Sequence, residues 1–135
     1  MNALEAALAA GRAAARELMR ETILLHRLGA PDFDWPTGTE GTTTSTTLYS
    51  GPARVKADRP EGREVDAGQQ MVSLRRYTVS LPWSTPPPSL RPRPGDIVDV
   101  TASPDARLGG LRLWVTDVGY GSTATAWRIT AEDRS

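Results

Sequence analysis

Glycine and proline decide what this chain can fold into. Twelve glycines and eleven prolines are spread through 135 residues, so ordered segments are mostly short and bounded by turn signals. Between the interruptions the recurrent pattern is alternation. Tyr77, Val79, Leu81 and Trp83 fall on one face of an extended run, with Thr78, Ser80 and Pro82 on the other. In "RPGDIVDVTAS" a turn at Arg93-Pro94-Gly95-Asp96 leads into Val98, Val100 and Ala102 on one side and Asp99, Thr101 and Ser103 on the other. Further strands are expected at 22–27, at 47–56 with an interruption at Gly51-Pro52, and near 96–102, 111–119 and 123–131. Gly119-Tyr120-Gly121-Ser122 is short enough for a tight hairpin.

The opening of the chain has a different period. Leu4, Leu8, Gly11, Ala15, Leu18, Met19 and Thr22 cluster on one arc at helical spacing, with Asn2 as N-cap and Glu5 in the first turn. A helix is expected over about 3–21, apolar arc inward, with an alanine face at Ala6, Ala9, Ala10 and Ala13. The expected fold is mainly β: a small antiparallel barrel or sandwich of about six strands over about 22–131, in a single domain. Loops are expected at 29–46, 57–69 and the proline-rich 84–94.

Charge removes several functions from consideration. Sixteen basic and sixteen acidic residues cancel, which argues against strong non-specific attraction to nucleic acid or an anionic membrane by the monomer as a whole. Lys56 is the only lysine, and the preference for Arg, Ala, Gly and Pro points to a GC-rich genome. With no cysteine there is no disulfide framework or thiolate chemistry. No apolar run is long enough to span a membrane, and the N-terminus lacks the apolar core of a signal peptide, so a soluble product made in the cytoplasm is expected.

No catalytic signature appears. A phosphate-binding loop, a dinucleotide fingerprint and a Gly-x-Ser-x-Gly elbow are all missing from the sequence. His26, the only histidine, shares a strand face with Leu24 and Leu28 and reads as a packed or surface residue. Asp32/Asp34 and Asp96/Asp99 lack the ligand run of a calcium loop. Asp96, after Pro-Gly, reads as a turn residue bonded to backbone, and Asp99 as solvent-facing. No catalytic residue, metal site or cofactor is expected.

The candidates that remain are surface residues. Arg12, Arg16 and Arg20 form a stripe with three readings: a solvated flank, a subunit interface, or phosphate contact. Arg75 shares a face with Tyr77, Val79 and Leu81, marking where the core opens. Trp83 and Trp127 read as core, Trp35 lies in a polar loop, and Trp114 faces outward beside Arg112. Arg112 and Trp114, with Arg75 and Arg76, have the mixture that an OB-like module would use to stack single-stranded nucleic acid.

The order of these features resembles the small head–tail connector, or head-completion and stopper, proteins of tailed phages and prophages of actinobacteria. The matching stretches are "ARELMRETILLHR", "DWPTGT", "LYSGPARVK", "YTVSLPWS" and, above all, "RPGDIVDVTASPDARLGGLRLWVTDVGYGSTATAWRITAED". The resemblance implies a structural virion protein, not an enzyme. It implies a ring of copies in the neck, meeting a portal or adaptor protein on the head side and a tail-terminator or tail tube protein on the tail side. Genomic DNA would occupy the lumen without sequence preference. Such a subunit would be assembled in the host cytoplasm and end in the virion. A tail-terminator or tail-completion ring belongs to the same structural class. Arg59 and Arg63, set among glycines in 57–69, are the candidates for a loop facing the channel, and Arg12, Arg16, Arg20, Arg112 and Trp114 for interface or lumen positions.

Overall fold

The computed structural model describes residues 2–29, 33–34, 39–40, 45–58, 65–67, 70–72, 75–83 and 91–134. Among these residues, helix α1 (Ala3–Glu17) leads into ten strands: β1 (Glu21–Leu28), β2 (Phe33–Asp34), β3 (Thr39–Glu40), β4 (Ser45–Ala57), β5 (Val65–Ala67), β6 (Gln70–Val72), β7 (Arg75–Pro82), β8 (Ile97–Ala102), β9 (Arg112–Gly119) and β10 (Ala126–Asp133). Six of them close an antiparallel barrel in the order β1-β4-β7-β10-β9-β8, with β1 and β8 completing the circle. The expected barrel is therefore present, with two additions. Two further two-stranded sheets are present, β2-β3 within the expected loop 29–46 and β5-β6 at and just beyond the end of the expected loop 57–69, each separate from the barrel sheet.

Alternation fills the interior. Ile23, Leu25, Val79, Leu81, Val98, Val100, Leu113, Val115, Ile129 and Ala131 are each at most 1% exposed and belong to one core. Closing the sheet removes its edges, which otherwise invite uncontrolled pairing. A barrel of six strands is narrow enough for these side chains to fill it.

Two local expectations are corrected. Strand β4 is not interrupted at Gly51-Pro52 but runs through both, pairing Gly51 with Ile23 and Pro52 with Thr22 of β1. Its ladder to β7 is formed by residues beyond the proline, from Arg54 on, so no β7 partner waits on the missing N–H. In β1 the register slips between Leu25 and His26. That slip takes His26 away from Leu24 and Leu28, which are half-buried and exposed, and makes it buried.

The turn before β8 forms as its sequence predicts. Asp96 N–H donates to the Arg93 carbonyl at 3.1 Å, and Gly95 takes φ 94°, a value that L side chains disfavour.

The helix departs most from expectation. Asn2 caps it by accepting from the Glu5 N–H at 2.8 Å. It ends at Glu17, where the Leu18 and Met19 amides fold back onto the Ala15 and Arg16 carbonyls. None of its residues is buried. Of the expected inward arc, Leu8, Gly11 and Ala15 are half-buried, Thr22 is exposed in β1, and only Met19, just past the helix, is buried. Leu4 and Leu18 remain 58% and 52% exposed. The reason is that the barrel is already closed and filled, so the helix lies against its outside. Contact is close at Gly11, where an added Cβ would sit 2.9 Å from Thr125 Cγ2.

Candidate interaction surfaces

The three arginines of the helix have three different roles. Arg12 is an anchor. Its guanidinium lies 4.0 Å above the Trp83 ring, while Nε donates to the Ala124 carbonyl at 3.2 Å and Nη2 to that of Ser122 at 3.1 Å. This one side chain ties α1 to the end of β7 and to the turn before β10. Arg16 is exposed, and its charge opposes the rise that burial gives the Tyr49 hydroxyl pKa. Arg20 is exposed in the short link from α1 to β1.

Arg112 and Trp114 face outward on β9, as the alternation predicts, but neither is free. Arg112 forms a two-point ion pair with Asp99, Nε to Oδ1 at 2.8 Å and Nη2 to Oδ2 at 3.1 Å. Trp114 has the Arg134 guanidinium 5.4 Å from its ring centre. Arg75 is exposed at the start of β7, on the face of buried Tyr77, Val79 and Leu81. Arg59, Arg63 and Trp35 lie outside the described residues, as do 84–90 of the proline-rich segment.

Asp99 is not the solvated residue expected. Its side chain is 23% exposed, and its Oδ2 also faces His26 Nε2 at 2.8 Å. A carboxylate only accepts, so Nε2 donates to it, while Nδ1 shares a hydrogen bond of 3.0 Å with the Ser45 hydroxyl. Burial alone would raise the Asp99 carboxyl pKa. Hydrogen bonds from Arg112 and then His26 outweigh it and hold the group below the usual carboxylate range. Ser45, His26, Asp99 and Arg112 lie on β4, β1, β8 and β9, consecutive around the barrel. Such a chain of bonds stitches four strands together.

A second stitch lies beside it. Asp96, 1% exposed, receives Arg27 Nε at 2.8 Å, Arg27 Nη2 at 3.0 Å and the Arg93 N–H at 2.9 Å. The turn role expected for Asp96 is present, with an ion pair added. Its partner on β1 is 69 residues away in sequence, and only the barrel register brings the two together.

Trp83 and Trp127 are half-buried, not core. Trp127, on the face of β10 that carries buried Ile129 and Ala131, packs against the core and donates Nε1–H to the Trp83 carbonyl at 3.0 Å. Tyr120 meets Trp127 edge-to-face at 5.8 Å. These aromatics, with Arg12, seal the end of the barrel where the helix sits. Alternation placed both tryptophans inward because it carries no signal for where a strand runs out of the barrel.

Among the described residues, no group of three His, Asp or Glu side chains is placed to hold a metal ion. No helix there is long and apolar enough to cross a membrane.

The fold is therefore that of a closed six-stranded antiparallel barrel with an N-terminal helix laid on its outside. The chain belongs to a family of unknown function, DUF6093, whose sequence model matches residues 11–132. Comparison with curated proteins finds no match. Among solved structures, the chain is similar to the solution structure of protein SF1141 from Shigella flexneri 2a, at 14% identity and a TM-score of 0.52. That likeness covers 87% of this chain and 94% of the other, and it concerns the fold alone.

Proposed function

We propose that this protein is a structural subunit of the neck of a tailed bacteriophage, forming a ring between head and tail. The reading starts from the sequence resemblance set out above. The structural observation that carries it furthest is the helix. Its 15 residues include none that is buried, and Leu4 and Leu18 are left more than half exposed. Apolar surface of this kind gains free energy when covered, about 25 cal/mol per Å².

A neighbouring copy is the natural cover. A contact between two different patches of the same chain, repeated around an axis, closes a ring. The filled barrel supports the same reading, since its interior leaves the outer surface as the working part. A ring subunit needs complementary faces and no reactive group. The work is done by shape, completing the head and retaining or passing DNA; a tail-terminator ring would use the same physics.

The test is assembly. The purified protein is mixed with portal and tail proteins of a tailed phage that encodes this chain, and the products are measured by light scattering and electron microscopy. Closed rings, alone or on a partner, are expected. A protein that stays monomeric at high concentration and joins neither component would overturn the proposal. Replacing Leu4 and Leu18 together with Ser should weaken assembly while leaving the monomer folded.

A further inference from the structure

A hollow lies where α1 gives way to β1. Leu18 and Arg20 form one side, Arg54 and Lys56 of β4 another, and Pro104 and Asp105 of the β8–β9 connection the third. Arg54 and Lys56 point outward from β4, alternating with buried Ala53 and Val55. Among the described residues, Arg20, Arg54 and Lys56 have no ion-pair partner.

The acidic groups nearby leave the balance positive. Asp105 is engaged by Arg107 at 2.9 Å. Asp58, two residues beyond Lys56, accepts from the Thr78 hydroxyl at 2.7 Å. Glu21 lines the same hollow at 9% exposure. Among the described residues, three cations without an ion pair thus face two carboxylates without one, Glu21 and Asp58. The band continues across the barrel, because Arg54 pairs with Ser80 of β7, and Ser80 with exposed Arg128 of β10.

We infer that this basic band, centred on Arg20, Arg54 and Lys56, is the surface that contacts the phosphate backbone of double-stranded DNA. The inference deepens the neck reading and rests on it for the source of the DNA. Three features favour phosphate. The cations come from two separate segments, the α1–β1 link and β4, and converge on one hollow. Across the ladder on β7, Ser80 pairs with Arg54 and sets a hydroxyl, a donor suited to phosphate oxygens, beside it. Among the described residues the three cations spend nothing on ion pairs, in contrast to Arg27 and Arg112. Contact of this kind carries no sequence information, which suits a channel through which a whole genome moves.

The test does not require a ring. Binding of a short fluorescent duplex to the isolated protein is followed by anisotropy over a series of salt concentrations. Each phosphate contact contributes about −0.9 to the slope of log K against log salt. Substituting Arg20→Ala, Arg54→Ala and Lys56→Ala together should flatten the slope by about two to three units. Arg112→Ala should leave it unchanged. No binding at low salt, or a slope indifferent to the triple substitution, would overturn the inference. Polyglutamate competing as well as duplex of equal charge would overturn it too, by pointing to an acidic protein partner. Failure here with intact ring assembly leaves the neck reading standing, and DNA binding without rings does the reverse.

Discussion

Two flanks of this barrel carry charge in opposite ways. Along β4, β1, β8 and β9, charged groups are spent on each other: Arg27 on Asp96, and His26 and Arg112 on Asp99. Around the link from α1 to β1, Arg20, Arg54 and Lys56 have no such partners among the described residues. The first arrangement positions strands. The second leaves charge available to something outside the molecule. Composition cannot distinguish them, because an arginine counts the same in both. Burial and partner geometry separate structure from function here.

The sharpest way to break the comparison is to remove the most buried charge on the stitched flank. Asp96→Ala should cost about 2–4 kcal/mol, because it strands Arg27 and the Arg93 N–H together. Denaturant titration measures it, and a loss below about 0.5 kcal/mol would mean that the pair does not hold the turn.

Asp99→Ala should cost less, about 1.5–3 kcal/mol, leaving buried His26 without its acceptor. This effect has a pH signature. The Asp99 carboxyl pKa is lower in the fold than in the unfolded chain, so its contribution is full above the ordinary carboxylate range. It fades as pH falls through the folded value. The gap between wild type and Asp99→Ala should therefore close in acid, and a gap that widened there would refute the assignment.

Arg12→Ala should cost about 1 kcal/mol, through loss of the Trp83 contact and two carbonyl bonds. Hydrogen exchange of α1 should rise while the barrel strands stay protected. If the barrel loosened equally, the helix would be part of the core and not a cover.

The smallest effect belongs to the unpaired flank. Arg20→Ala, Arg54→Ala and Lys56→Ala should each change stability by no more than about 0.5 kcal/mol. A large loss from any of them would erase the contrast between the flanks.

What could be read beforehand follows the range of the interactions. Alternation within a strand is local, so Tyr77, Val79, Leu81, Val98 and Val100 were placed inward from the sequence. The Pro94-Gly95 turn is equally local. The Asp99–His26 contact was not legible, because its partners are 73 residues apart and depend on the register between β1 and β8 and on a slip beside His26. The helix misled for another reason. Its apolar arc satisfies the pattern of a core helix, but pattern does not reveal that six strands fill their own core. Arg54 and Lys56 were visible as strand residues, yet nothing local brings Arg20 beside them.

The central claim, that this small barrel acts by repeating around an axis in a phage neck, is tested most directly by electron microscopy of intact particles. The account predicts a ring of this chain between portal and tail, with Arg54 and Lys56 turned toward the channel. Particles in which the chain is missing from the neck, or a ring that turns those residues to its outer rim, would contradict it.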